Sequence, residues 1–206
     1  MKNSCVRGGR TLIYTLICTA LTGLISLTGI FYRNKKKPQS KSKRVNKIFA
    51  AASTAVFIPY MTTAVLACMH GADPESLQRF GILRTVQAIQ KSPIADKSSS
   101  LDQQGNILIY YRFGCGDCEA VYDSLKEATA GKADIYWVAS RQSVGQELLQ
   151  KYAVPEVPAG VVILGDGMYV SHVLSNSVYD QLNGTEDVQM DTYALERLLE
   201  LQEREK

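Results

Sequence analysis

The chain has 206 residues and a formal net charge of +3, enough for one globular domain with appendages and short for two full domains. Its charges are segregated: residues 1–72 hold 11 Lys and Arg and no acid, whereas residues 73–206 hold 12 basic residues against all 20 acidic ones, a formal −8. An acidic globular part excludes ordinary nucleic-acid binding, which needs a basic face for phosphate; a hydrophobic content of 46% excludes a wholly disordered chain, and only five cysteines exclude a disulfide-dense secreted scaffold.

After a tail over residues 1–10, residues 11–32 form a run of 22 without a charge, bracketed by Arg10 and Arg33. As a helix it would reach ~33 Å, enough for a hydrocarbon layer of ~30 Å, with Tyr14 and Tyr32 placed for the two interfaces. A second uncharged run, residues 48–69, is equally long but diluted by Ala, Ser and Thr and interrupted by Pro59, which should kink it. Between them, residues 33–47 carry eight Lys and Arg in fifteen positions, against three in the first ten residues. Short loops rich in Lys and Arg stay cytoplasmic. The pattern therefore predicts two membrane helices, a basic cytoplasmic loop in contact with anionic lipid headgroups, and a cell-membrane protein whose domain after residue 70 is extracytoplasmic. A second parsing reads residues 41–67 as a late secretion signal, with Val65-Leu66-Ala67-Cys68 resembling a bacterial lipoprotein cleavage box. It delivers the remaining chain to the same side.

Residues 70–105 read as a helix and a linker. Asp73-Pro74 is a helix start, and Leu77, Phe80, Ile82 or Leu83, Val86 and Ile89 recur at helical spacing up to Lys91. The Ser-, Gln- and Lys-rich stretch over 92–105 reads as a loop. Residues 106–206 then alternate. Ile107-Leu108-Ile109-Tyr110-Tyr111 suits a strand buried on both faces. A helix follows Cys115-Gly116-Asp117-Cys118 to about Ala130, and residues 133–139 form a second strand. Ser143 with Gln146 has the form of a capping box for a helix to Tyr152. Residues 161–164 and 168–173 are strands joined by the turn Gly165-Asp166-Gly167. A last helix runs from about Thr192 to Arg204, with Leu195, Leu198, Leu199 and Gln202 on one face.

This order, β-α-β-α-β-β-α, with Cys-x-x-Cys between the first strand and its helix, resembles the thioredoxin-like superfamily, and in particular membrane-tethered bacterial thiol–disulfide oxidoreductases. The second motif that carries the resemblance is Tyr152-Ala153-Val154-Pro155-Glu156-Val157-Pro158-Ala159, similar to the family's cis-proline loop. The resemblance implies an α/β fold of the thioredoxin-like kind, a central mixed sheet flanked by helices, over residues 106–206, here preceded by two N-terminal membrane helices. It further implies a cis Pro158 against the cysteine pair and a Val157 backbone that pairs with substrate.

The spacing has its own chemical logic. A cysteine at a helix start points its sulfur toward unpaired N–H groups, which favour the thiolate. Cys115 is thus the expected nucleophile, and Cys118, one turn on, the resolving thiol. Gly114 and Gly116 leave room for an incoming protein disulfide. The family's buried acid in the strand is absent, its place being taken by Ile109. Asp117 is expected to push the Cys115 pKa upward and so to favour a reductase or isomerase, and Asp117 or Glu119 to serve as proton acceptor. Arg112 reads either as a solvated charge, the favoured reading, or as an influence on the thiolate, and His172 as a polar residue on a strand near the hairpin.

No cofactor is expected beyond the redox-active cysteines, and no metal site, because Cys5, Cys18 and Cys68 fall in or beside the membrane segments while His70 and His172 stand alone. Inert or lipid-modified thiols describe Cys5 and Cys68, with a redox role near the outer membrane face as the alternative, and a small apolar residue describes Cys18. Asn183-Gly184-Thr185 matches a glycosylation acceptor formally and a turn more simply. The expected partners are protein thiols or disulfides, membrane lipids and a membrane redox partner, with no nucleic acid. Two further readings stand beside this one: a non-catalytic accessory subunit of a secretion, conjugation or bacteriocin-export complex, and copper or zinc delivery by the cysteine pair.

Overall fold

A computed structural model describes residues 40–96, 100–180 and 185–206. The tail over 1–10, the run over 11–32 and the first part of the basic loop lie outside the described residues, as do Asn183 and Gly184. The chain divides into two compact units, Met1–Val65 and Leu66–Lys206.

In the first unit the described part belongs to helix α1 (Ser40–Met69). It begins inside the basic loop, eight residues before the uncharged run, and continues through Pro59. Thr62 and Thr63 turn their hydroxyls back onto the carbonyls of Ile58 and Pro59, at 2.9 and 2.8 Å. Among the described residues no helix is long and apolar enough to cross a membrane. The side chains of residues 48–52, the start of the second apolar run, are outside that description.

The second unit opens with the last turn of α1. Helix α2 (Pro74–Gln90) starts where the sequence places it, with Pro74 in the first turn and the Asp73 carboxylate accepting from Ser76 N–H at 2.5 Å. Arg141 pairs with the same carboxylate. The regular apolar stripe expected along α2 is broken at Gly81, whose backbone is non-helical at φ 66°, ψ 170°. Thr85 and Ala88 are buried, and Leu77, Phe80 and Ile89 pack inward, whereas Ile82, Leu83 and Val86 are exposed. The 3.6-residue repeat fails because one residue outside the helical basin rotates everything after it.

The stretch read as a linker is part of the domain. Ala95 and Leu101 are buried. Asp96 meets the edge of the sheet twice: its N–H donates to Trp137 O, and its carboxylate accepts from Trp137 N–H, both at 2.8 Å. A polar composition does not preclude docking where an edge strand offers unpaired backbone groups.

The sheet contains β1 (Ile107–Tyr111), β2 (Ile135–Ala139), β3 (Ala159–Ile163) and β4 (Tyr169–Val173) in the order β2-β1-β3-β4. β1 and β2 are parallel with Ile107 opposite Ile135; β3 is antiparallel to both β1 and β4. Helix α3 (Gly116–Thr129) and helix α4 (Ser143–Lys151) connect the first three strands, and α5 (Thr192–Glu205) closes the chain. β1 is buried on both faces, as its unbroken apolar run predicts. Ile107 and Ile109 join Val121, Leu125, Val162, Leu195 and Leu198 on one side. Leu108 and Tyr110 join Leu101, Val138, Leu148, Tyr152 and Val161 on the other. This is the period-two alternation of a strand between two layers. The result is an α/β unit with a mixed sheet flanked by helices, compatible with the arrangement the two motifs imply.

Gly165–Gly167 joins the antiparallel strands β3 and β4, where the hairpin turn was expected, as a short 3-10 segment. Two local expectations are corrected. The cap of α4 is Gln142, with no side-chain hydrogen bond, so Ser143 and Gln146 form no capping box. A second hairpin, β5 (Ser175–Asp180) with β6 (Thr185–Met190), stands where no element was expected, and Val188 and Met190 pack against the core beside α3 and α5. At the sheet centre, a Cβ on Gly160 would meet Leu198 Cδ1 at 2.4 Å. Gly160→Ala should therefore cost about 1–3 kcal/mol as overpacking, read as a lower thermal midpoint of the full chain in detergent. An unchanged midpoint would show that α5 can shift freely.

Candidate active site

β1 ends at Tyr111, and the chain turns through Arg112, Phe113 and Gly114 before α3 begins. Gly114 has φ 70°, a conformation that favours glycine. Cys115 caps α3 with extended backbone (φ −88°, ψ 123°), its carbonyl accepting from Glu119 N–H at 2.9 Å. The side chain of a cap residue lies over the first turn, where N–H groups have no helical partner. Cys118 lies in that turn, beside the Cys115 sulfur. On the far side, Cys115 Sγ lies 3.9 Å from Val157 O. The Val157–Pro158 peptide is cis, and Pro158 is buried. The structure thus brings together Cys115, Cys118, Val157 and Pro158 from two separate loops.

The thiol hydrogen bond from Cys118 is the largest influence holding the Cys115 pKa down, to about 6. The Cys118 backbone N–H and the positive charge of Arg112 act in the same direction, and burial opposes them. For Cys118 the same hydrogen bond, with burial and the neighbouring charge, pushes the thiol up. One proton is shared unequally, and Cys115 gives it up first. The Cys115 pKa falls, through Cys118 and Arg112. Hydrogen bonds to a charged acceptor are worth about 1.5–3 kcal/mol each. A lone carboxylate ~5–6 Å away opposes the thiolate by ~0.7–3 kcal/mol, and the Arg112 cation offsets it. Asp117 is exposed in the first turn of α3. Arg112, for which the sequence left open a solvated charge or an influence on the thiolate, lowers the pKa of both sulfurs.

The surroundings differ from the open approach expected at Gly114 and Gly116. Gly116 does face open space, but a Cβ on Gly114 would meet the Phe80 ring at 2.4 Å, so α2 fills that side. Phe80 also packs on Phe113, 6.4 Å between ring centres. Cys115 and Cys118 are only 6% and 7% exposed, in a cluster with Ala95, Tyr111 and Ala139 to which Trp137 and Val157 contribute. Burial raises the Glu119 carboxyl above its ordinary range, against Arg84 and Lys91. A carboxyl so disposed holds a proton more readily than one in open solvent. Ile109 is fully buried and apolar.

Phe80, Ala95, Tyr111 and Trp137 are the site residues that sequence reasoning missed. Only Tyr111 carried a signal, as the last strand residue before the motif. Cys68 ends α1 half-buried, its carbonyl accepting from Gln142 at 3.5 Å, while Cys5 and Cys18 lie outside the described residues. His172 is half-buried on β4, paired in register with Gly160. Among the described residues, no group of three or more His, Cys, Asp or Glu side chains converges as a metal site requires.

Comparison with known proteins gave no match to a family model, to a curated protein or to a solved structure. The functional reading therefore rests on the site's own chemistry.

Alkylation of the reduced full chain should show Cys115 half-reactive near pH 6, with Cys118 protected past pH 9. Because a cation favours the thiolate, Arg112→Gln should move the Cys115 profile upward by about 0.5–2 pH units. Asp117→Asn should leave it nearly in place. The reverse ranking would restore Asp117 as the tuning residue.

Proposed function

We propose that the protein is a membrane-anchored, extracytoplasmic thiol–disulfide oxidoreductase of the thioredoxin-like kind, acting on protein cysteines through Cys115 and Cys118. The observation that carries this reading is the arrangement of the pair: Cys115 at the helix cap, Cys118 in the same first turn, and the cis Val157–Pro158 loop 3.9 Å from the Cys115 sulfur. In the reducing direction the Cys115 thiolate attacks a substrate disulfide. A mixed disulfide forms and one substrate sulfur leaves as thiolate. Cys118 then loses its proton, to Glu119 or to water, and attacks Cys115. The Cys115–Cys118 disulfide forms, the second substrate thiolate departs, and two electrons have passed to the substrate. The thiol of Cys118 keeps its proton while Cys115 is the thiolate, and releases it once that charge has gone into a bond. Val157 and the cis Pro158 form the edge beside which a substrate strand would lie. A dithiol protein at the membrane would supply the electrons for the next turnover.

A pKa near 6 lies closer to thioredoxin, at about 7, than to the strong oxidant whose thiol is near 3.5. The reading therefore leans to reductase or isomerase, on the strength of the moderate pKa rather than of Asp117. The membrane assignment is supported by the two uncharged runs, the basic loop between them, and the exposure of Val56, Phe57, Ile58 and Tyr60, which point to all sides of α1.

In full-length protein, Cys115→Ala with Cys118→Ala should abolish reduction of protein disulfides and fail to complement a deletion strain. Full complementation would instead favour a docking subunit. The reduction potential should fall between about −270 and −180 mV, and a value near −120 mV would mark an oxidant. A membrane-impermeant alkylating reagent should label Cys115 in intact, pre-reduced cells; no labelling before lysis would overturn the outward placement.

A further inference from the structure

Helix α2 brings one aromatic ring to the flank of the cysteine pair. Its first turns are pinned at Asp73, whose carboxylate accepts from Ser76 N–H and pairs with Arg141. They stop at Gly81, where φ 66° and ψ 170° end the helical path, so Phe80 is the last residue before the break. Past it, the Thr85 hydroxyl donates to Gly81 O at 2.7 Å, Thr85 and Ala88 are buried, and Lys91 pairs with Asp123 of α3. Phe80 thus stands on a segment anchored on both sides.

Its neighbours fix the ring itself. The ring edge fills the space beside Gly114, where an added Cβ would meet Cε2 and Cζ at 2.4 Å. It packs on Phe113, 6.4 Å between centres at an interplanar 56°, and the Arg84 guanidinium lies 5.1 Å over its centre, within cation–π range. Gly114 directly precedes Cys115, so the ring closes that flank of the nucleophile. Ala95, Tyr111, Ala139 and Trp137 pack around the sulfurs. A Cβ on Gly116, by contrast, would face open space among the described residues. Val157 O lies 3.9 Å from Cys115 Sγ. The approach left to a substrate passes over Gly116 and beside Val157.

Exchange requires the incoming disulfide to touch the Cys115 sulfur. An extended segment takes up about 5 Å, one strand spacing. A folded domain of about 100 residues has a radius of gyration of about 13 Å, so the surface around its disulfide would press on both flanks of Cys115. One of those flanks is the Phe80 ring, which yields only by giving up its contacts with Phe113 and Arg84. A steric clash that one class of partner suffers and another avoids is a source of specificity.

We propose that Phe80 is the specificity-determining residue of the cysteine pair: it closes the Gly114 flank, so that Cys115 takes disulfides carried on slender, extended segments entering over Gly116 and excludes disulfides on the surfaces of folded domains. This rests on the oxidoreductase reading and adds to it the substrate class.

The test uses the reduced full chain in detergent and one small domain with a surface disulfide, presented either folded or held unfolded by a single core substitution. Single-turnover rates on each form are divided by the rate of dithiothreitol on the same form, which removes the disulfide's own accessibility to a small thiol. The wild type should prefer the unfolded form by at least about fivefold; a smaller preference would overturn the substrate class. Phe80→Ala should cut the preference at least about threefold, and Phe80→Leu, which keeps an apolar contact with Phe113, should about halve it. Each preference is a ratio within one variant, so a change in the acidity of Cys115 or in the folded fraction cancels. Phe80→Leu carries the test alone where Phe80→Ala does not fold. An unaltered preference in the folded variants would overturn the role of Phe80 while leaving the oxidoreductase intact. Failure of the wild type to reduce either form, where dithiothreitol reduces both, would overturn the oxidoreductase reading, and this inference with it.

Discussion

A thiolate under an apolar wall is costly unless its lone pairs are satisfied, and at this site the donor is the other cysteine. Cys118 favours the Cys115 thiolate through its S–H and its backbone N–H, an influence that exists only while residues 115–118 keep the first turn of α3. The turn in turn depends on β1, buried on both faces, to fix where α3 begins. Stabilising one sulfur as an anion and the other as a thiol is therefore a single geometric fact, from which the difference in role between the two cysteines follows.

The proline loop completes the site from the other side of the sheet. β3 is antiparallel to β1, with Tyr110 opposite Ala159, which brings the residues just before Ala159 alongside those just after Tyr111. Val157 and Pro158 thereby face the start of α3 although some forty residues separate them in sequence. Gly160 allows Leu198 of α5 to approach the sheet here, so the helix that closes the chain also steadies the loop. The segment from Leu66 to Asp96 surrounds the other half of the cysteine pair with Phe80 and Ala95. Its own cohesion comes from carbonyls at a helix end, which lack helical partners and are taken up by Ala95 N–H, the Tyr111 hydroxyl and Gln142.

Legibility in the sequence followed the range of the forces involved. The strand at Ile107–Tyr111, the Asp73 cap, the helix at Thr192–Glu205 and the cysteine turn depend on neighbours within a few residues, and they stand where the pattern puts them. Gly81 was harmless to a periodicity count yet split the apolar face of α2. Asp96 sat in a run of polar residues that gave no hint of its pairing with Trp137. The β5–β6 hairpin was invisible because its strands mix polar and apolar residues around Val178, Tyr179, Val188 and Met190. For Arg112 the sequence left two readings open, a solvated charge or an influence on the thiolate, because which way its side chain lies is not a property of spacing.

By itself the sequence determined the segregation of charge, the two uncharged runs, the order of the domain's main elements, and two cysteines one helical turn apart, since composition and short-range periodicity suffice for these. Only the tertiary structure decided which groups set the acidity of Cys115, that Phe80 and Ala95 enclose it, and that the end of α1 is part of the same packed body. Those outcomes arise where residues far apart in the chain compete for the same few ångströms of space and the same unpaired backbone groups, and no local pattern records who wins.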